Sequence, residues 1–309
     1  MGLAPDRVKH AGLTLSACDR RIFVQIPAYR DPELGPTLHD LFKKARHPKS
    51  LRVAVLWQRG VDDQLDRRLA KGRNLEIIEV PHTDSKGCNW ARSELQRLWK
   101  GEPYTLILDS HHRFTQHWDQ KLLDAYDVLK GRGVEKPIVT GYLPSYDPLT
   151  EPRGRRNKPL KIYPFDRSNG LLLRLIGRPI LGARQLTGPV PGEFVSLHCL
   201  FAAGDFNRAV PFDPNCYFFG DEVSMSLRAF THGYDVFHPH QVIGWHCYDR
   251  SYRTTHWEDH SSWQGLEATS LQRLRTLLSG YPISVYGRGD RRSLDDFEDR
   301  LMVKLCKVT

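Results

Sequence analysis

The sequence predicts an α/β fold, a mostly parallel sheet covered by helices on both faces. Two observations carry this reading. Between residues 21 and 109, short β-branched runs alternate with stretches whose apolar residues recur at helical spacing, the rhythm of parallel strands joined by crossover helices. The 309 residues are 40% hydrophobic and 26% charged, which is ordinary globular composition and excludes disordered, fibrous and coiled-coil classes.

The elements follow in order. Arg21-Ile-Phe-Val-Gln-Ile-Pro27 reads as a buried strand. Asp31-Pro-Glu-Leu then starts a helix, with an acidic N-cap, Pro at its first position, and Leu34, Leu38, Leu41 and Phe42 on one face. Leu51-Arg-Val-Ala-Val-Leu-Trp57 is the second strand. A helix over 62–70 leads to the strand Leu75-Glu-Ile-Ile-Glu-Val80, and a helix over 85–100 leads to Tyr104-Thr-Leu-Ile-Leu-Asp109. Ligands of such sheets collect at the carboxyl ends of the strands.

After Pro144 the pattern changes, because Pro, Gly and basic residues become frequent. Regular signals return with the strand Val195-Ser-Leu-His-Cys-Leu-Phe201, a helix over 222–232, the strand Tyr234-Asp-Val-Phe-His238 and an amphipathic helix over 266–278. No repeat or low-complexity tail interrupts the chain. One domain spanning 1–309 is expected, with a first half at about 20–143, a second at about 144–250 that carries a basic loop over 151–184, and a C-terminal extension over 251–309.

The 45 Lys and Arg outnumber the 36 Asp and Glu, a formal charge of +9. That excess hints at an anionic partner such as nucleic acid, a nucleotide or a membrane surface. Cys18, Cys88, Cys199, Cys216, Cys247 and Cys306 are widely spaced, with no C-x-x-C pair, so a reducing cytoplasm is the expected setting. Residues 1–17 lack a signal-peptide core, and no run approaches the ~20 apolar residues of a membrane span. The most apolar stretch, Gly170-Leu-Leu-Leu-Arg-Leu-Ile-Gly, is short and interrupted by Arg174; a buried strand or loop anchor is expected there, and no membrane partner.

Three segments carry candidate chemistry. Asp109-Ser-His-His-Arg-Phe114 follows the end of an apolar strand, where Asp109 and His111 can both reach one divalent cation. The alternative is an aspartate that caps the next helix beside surface histidines. Pro211-Phe-Asp-Pro-Asn-Cys-Tyr-Phe-Phe-Gly-Asp-Glu222 places two carboxylates at the start of a helix, which N-capping explains for Asp221 but less well for the whole group. Gly244-Trp-His-Cys-Tyr-Asp-Arg250 offers His246, another imidazole among aromatics.

Taken as an ordered set, these segments resemble the GlcNAc-transferase family, which includes the cytoplasmic hydroxyproline-linked GlcNAc transferases and is related to the mucin-type GalNAc transferases. The resemblance rests on Ile22-Phe-Val-Gln-Ile-Pro-Ala-Tyr-Arg-Asp-Pro-Glu-Leu34, Val53-Ala-Val-Leu-Trp-Gln58, Gly87-Cys-Asn-Trp-Ala-Arg92, Asp109-Ser-His-His-Arg-Phe114, Phe219-Gly-Asp-Glu-Val-Ser-Met-Ser-Leu-Arg-Ala-Phe-Thr-His-Gly-Tyr-Asp235 and His246-Cys-Tyr-Asp-Arg250. It runs from about residue 21 to the Tyr286-Gly-Arg-Gly-Asp-Arg-Arg-Ser-Leu294 stretch.

The resemblance implies a GT-A fold, a Rossmann-like sheet that holds a UDP-sugar, with Mn²⁺ or Mg²⁺ gripped through the diphosphate by a D-x-H motif. On the matching positions Asp109 and His111 would be metal ligands and His246 the third. His112 competes with His111, but alternation along a strand favours His111 beside Asp109. A divalent cation there would act as a Lewis acid on the departing diphosphate. Tyr29 would stack on the base and Arg30 would offer a charged hydrogen bond, against the alternative of an Arg30 surface ion pair with Asp31 or Glu33. Trp90 and Arg92 would lie beside the donor, Arg92 on a phosphate or ribose, with Trp90 alternatively a core aromatic. Glu222 would hold hydroxyls of the donor sugar, Asp221 would align sugar or acceptor, and transfer would proceed with retention.

The expected function is therefore metal-dependent transfer of a sugar, GlcNAc or glucose, from a UDP-sugar to a hydroxyl on a macromolecule. The acceptor is either a protein hydroxyl such as hydroxyproline or a hydroxymethylated pyrimidine in DNA. A non-catalytic nucleic-acid-binding protein on a transferase fold is the alternative, although it would not need Asp109, His111 and His246. Between Glu151 and Arg184, nine basic residues face two acidic ones, so most of the excess charge lies in one stretch. Tyr163 and Phe165 are interleaved with its cations. Arg153, Arg155, Arg156 and Lys158 are its candidate acceptor-binding residues; a solvated loop, or one closing over the donor, is the alternative.

Overall fold

The computed structural model describes residues 20–168 and 172–305. Cys18, Cys306 and the first residues of the Gly170 apolar stretch lie outside the described residues. The chain opens with strand β1 (Ile22–Tyr29) and helix α1 (Leu34–Lys44), followed by β2 (Leu51–Arg59), β3 (Leu75–Pro81), α2 (Cys88–Gln96) and β4 (Tyr104–Leu108). Next come β5 (His112–Phe114), α3 (Trp118–Gly131), β6 (Pro137–Thr140), β7 (Leu160–Ser168), β8 (Leu172–Pro179) and β9 (Val190–Gly192). The remainder is β10 (Cys199–Ala203), α4 (Phe206–Ala209), α5 (Asp221–Thr231), β11 (Asp235–His238), β12 (Gly244–His246), α6 (His256–Asp259), α7 (Trp263–Ser279) and α8 (Leu294–Leu301).

Eight strands form one mixed sheet in the order β3-β2-β1-β4-β10-β6-β11-β9. The first four run parallel, β10 is antiparallel to both β4 and β6, and β11 is again parallel to β6. Period-two alternation fixes the two faces. Val24 and Ile26 of β1 pack with Val53, Val55 and Leu106 under α1 and α3, while Phe23 points the other way to Ala91 and Leu95 of α2. Helices therefore cover both faces, as expected for a sheet buried on each side. Two further two-stranded sheets, β12-β5 and β7-β8, lie beside the main one.

Three expectations are corrected. Asp31 is not the cap of a helix that starts at Pro32: α1 begins at Leu34, and Asp31 accepts the Glu33 amide at 2.9 Å from a buried position. The expected helix over 62–70 is only a 3₁₀ turn at Arg67–Ala70, because Asp63 closes a turn on the Gly60 amide and Asp66 caps Arg68. The basic segment is not simply a loop. Leu160–Ser168 and Leu172–Pro179 pair as the antiparallel β7-β8 hairpin, in which buried Ile162 and Leu173 join the cluster beneath α5 and α7, so alternation wins despite Pro and Arg. Among the described residues no helix is long and apolar enough to cross a membrane.

Candidate active site

β4 delivers its last residue to the carboxyl edge of the sheet, and Asp109 follows immediately. The chain turns there through Ser110 and His111 into β5, whose partner β12 ends at His246, paired with His112. This small ribbon brings two distant segments together. Single ligand atoms of Asp109, His111 and His246 all lie within 4.8 Å of one another. Asp109 Oδ2 is 3.9 Å from His111 Nε2 and 3.5 Å from His246 Nε2.

The histidine orientations are set from behind. His111 Nδ1 donates to Asp31 Oδ2 at 2.7 Å, so its Nε2 turns a lone pair towards Asp109. Burial opposes charge on Asp31, but His111, Arg253 and Ser110 hold its carboxyl below the usual range. Neither buried ring nitrogen of His246 has a hydrogen-bond partner, and orphaned buried polar atoms are costly. Two imidazoles and a carboxylate fit a divalent cation. His112 stands apart from this set, with Nδ1 on the Asp109 carbonyl at 3.0 Å. His198 stacks on His246 with ring centres 4.1 Å apart, yet both its nitrogens are engaged, by Leu143 N–H and Ser196 Oγ, so it supports the ring without competing as a ligand.

Arg92 links this corner to α5. It is buried on α2, one turn after Asn89, and reaches Asp109 Oδ1 at 3.1 Å and Asp221 Oδ2 at 3.2 Å. Burial works against the Asp109 charge, but the facing His246 and Arg92 hold its carboxyl well below the ordinary range. Asp221 also receives Asn89 at 3.3 Å. Its neighbour Glu222 accepts Tyr142 O–H at 2.5 Å and the Leu197 amide at 3.1 Å. Burial, then the charge of Asp221, pushes the Glu222 carboxyl up to about 7.

These residues line two spaces that share Arg92, Asp109 and His246 as walls. The larger, about 1080 Å³, takes in Arg92, Asp109, Asp221, Glu222, His198 and His246, with the β7-β8 hairpin as one wall. The smaller, about 140 Å³, lies on the Tyr29 side of Asp109 and is lined by Gln58, Cys88, His111 and residues 253–257. Arg250 borders both spaces. Its guanidinium lies 5.4 Å from the Phe218 and Trp257 rings, with no carboxylate in ion-pair range among the described residues.

A family model described as Glycosyltransferase (GlcNAc) matches residues 21–66 and 64–288. The chain belongs to the GlcNAc glycosyltransferase family. Its mixed sheet has the GT-A architecture. GalNAc-T7, solved with UDP, GalNAc and Mn²⁺, has a similar fold, with a TM-score of 0.57 and 13% identity over 92% of this chain and 55% of that one. TarS 1-349 of S. aureus aligns at 14% identity and a TM-score of 0.48, over 74% of this chain and 60% of that one. The chain thus spans less than two thirds of either structure's length. No curated protein matches significantly.

The other expected positions divide between those that border the two spaces and those that are engaged elsewhere. Tyr29 borders the small pocket, but its hydroxyl donates to Asp259 at 2.7 Å and His256 packs on its ring. Arg30 makes an ion pair, though not with Asp31 or Glu33: it forks onto Asp259 at 2.9 and 3.0 Å and borders neither space. Trp90 packs with Phe23, Leu56 and Leu95, a core aromatic. Arg155 is paired with Glu151 and stacked over Trp245. Arg153 is exposed away from the cavity, whereas Arg156 and Lys158 line it. Sequence reasoning missed Asp31, Asn89, Tyr142, His198 and Arg250. Only Asn89 left a signal, three residues before Arg92 on one helix face.

Proposed function

We propose that the protein transfers a sugar, GlcNAc being favoured over glucose, from a UDP-sugar to a hydroxyl of a macromolecular acceptor. The observation that carries this reading is the convergence of Asp109, His111 and His246 at the end of β4, in the walls of the two spaces. In the proposal these three side chains hold a divalent cation, Mn²⁺ or Mg²⁺. That ion supplies Lewis-acid stabilisation to the diphosphate leaving group. UDP and Mn²⁺ are present in the GalNAc-T7 structure, which supports the donor and metal assignments.

The chain's own residues divide the remaining work. Tyr29 and Gln58 border the space for the nucleoside, and Arg250, with no carboxylate in ion-pair range among the described residues, faces the diphosphate. Arg92 holds Asp109 and Asp221 in place. Glu222 and Asp221 accept hydroxyls of the donor sugar. Their four carboxylate oxygens already accept hydrogen bonds from Tyr142, Leu197, Asn89, Arg92 and the Glu222 amide. These contacts fix the orientation in which both carboxylates meet the sugar, and retention at the anomeric carbon, as the family resemblance implies, is the reading we favour. The acceptor enters along the wall formed by Arg156, Lys158 and β8.

Calorimetric titration with UDP tests the proposal. Binding is expected only with Mn²⁺ or Mg²⁺ present and is lost in Asp109→Ala. Equal affinity with and without metal would refute it. Proton NMR of the product's anomeric signal decides between retention and inversion.

A further inference from the structure

From the β7-β8 hairpin we infer a docking surface for single-stranded nucleic acid, through which a strand is led to the acceptor cavity. The inference rests on the reading of that cavity as an acceptor site and adds the class of acceptor. Cross-strand pairing sets which side chains share a face: Lys161 opposes Arg178 and Tyr163 opposes Ile176, while Ile162, opposite Gly177, turns the other way into the core. Arg174 lies 5.6 Å from the ring of Phe165, and Lys161 lies 5.3 Å from that of Tyr163. The outer face therefore interleaves two rings with Lys161, Arg174 and Arg178, of which Lys161 is paired with Glu193 at 3.6 Å and Arg174 with Asp166 at 3.0 Å.

Those rings stand in solvent, Phe165 at 56% and Tyr163 at 38% exposure. They are two residues apart on one strand, Phe165 sitting at the register shift between Pro164 and Asp166, and both offer stacking platforms to unstacked bases. The cations continue past the hairpin. Arg156 and Lys158 line the same cavity as β8, and with Arg178 they have no carboxylate in ion-pair range among the described residues. The carboxylates that line this cavity, Asp109, Asp221 and Glu222, are gathered at its catalytic end. The approach is thus positive while the floor is negative, which suits a polyanion whose reacting group is a neutral hydroxyl. An acidic peptide would meet the cations but has no flat faces for adjacent rings, and a duplex keeps its base faces stacked inside.

Fluorescence anisotropy with the full chain tests this, using fluorescein-labelled dT20, a 20-base-pair duplex and a 20-residue polyglutamate between 50 and 200 mM salt. The expected order is dT20 tighter than duplex and polyglutamate. Tyr163→Ala/Phe165→Ala should weaken dT20 roughly tenfold or more and leave its salt slope alone. Arg156→Ala/Lys158→Ala/Arg178→Ala should flatten that slope by about two. Polyglutamate or duplex binding as tightly as dT20, or a ring variant with unchanged affinity, would overturn the inference. UDP titrated into the same samples separates the two readings. Metal-dependent UDP binding without dT20 binding removes the docking surface alone; dT20 binding without UDP binding removes the transferase reading, and with it delivery to an acceptor, while the single-strand surface stands.

Discussion

The carboxylate of Asp31 accepts Ser110 Oγ–H at 2.6 Å and His111 Nδ1–H at 2.7 Å, and Arg253 lies 3.4 Å away. Such a partner fixes the tautomer and aim of an imidazole ligand. Asp31→Asn keeps the shape but removes the charge, so Mn²⁺ affinity measured by calorimetry should fall about 10- to 100-fold. Unchanged affinity would mean that His111 is aimed by packing alone. Glu222 offers a second test. Its ionised form accepts hydroxyl donors, and burial with Asp221 places its ionisation at about 7, so kcat/KM should rise with pH through a midpoint near that value. Glu222→Gln should lose on the order of a hundredfold in kcat, give a flat profile and still bind UDP. Asp31 was misread from sequence for a physical reason: an aspartate before Pro satisfies the local rules for a cap, and only the fold brings His111 to its other oxygen.

At the scale of elements, strands and long helices were legible because their apolar periodicity is local. β1, β2, β3 and β4 fall within a residue or two of where alternation puts them, and α5 and α7 match their amphipathic stretches. Of the basic hairpin, the apolar stretch that becomes β8 was legible as a buried strand or loop anchor, whereas β7 was not, since Pro164 and its polar neighbours read as strand only once Ile162 has a core to enter. The candidate metal corner was legible as residue types, whereas Tyr142 and His198 carry no motif and owe their place to β6 and β10 lying side by side. Another element-scale contact lies outside the sheet. Asp259, at the end of α6, receives Tyr29 and Arg30 together and ties residues 250–262 to β1. Asp259→Ala should cost about 1–2 kcal/mol in urea unfolding, below the 3–5 kcal/mol of a fully buried pair because both groups are partly exposed. Amide exchange should quicken in residues 250–262 while β1 stays protected. Uniformly unchanged exchange would show that α6 is held by its other contacts.

For the whole molecule, buried histidines dominate the response to mild acid. Burial pushes His112 down to about 3 and His238 down to about 4, and it lowers His198 and His246 as well. Unfolded histidines take protons near pH 6.5, so between that value and about 4 the unfolded chain binds more protons and stability falls as pH drops. His112 and His238, both fully buried, each contribute a slope of up to about 1.4 kcal/mol per pH unit. Glu222, raised to about 7, works in the opposite direction and offsets roughly one of them. Urea midpoints of metal-free protein at pH 7, 6 and 5 should decline steadily; a flat series would mean that these rings are protonated in place. The antiparallel β10 has a consequence for synthesis. Both sheet neighbours of β6, β10 and β11, lie later in the chain, so β6 emerges from the ribosome with neither edge paired. At about 5–20 residues per second, roughly 3–12 s pass before β10 follows. During that interval the apolar edge of β4 is also uncovered, and a nascent chain stalled after β6 has left the ribosome but before β10 has done so presents three open strand edges to chaperones or to its neighbours on a polysome.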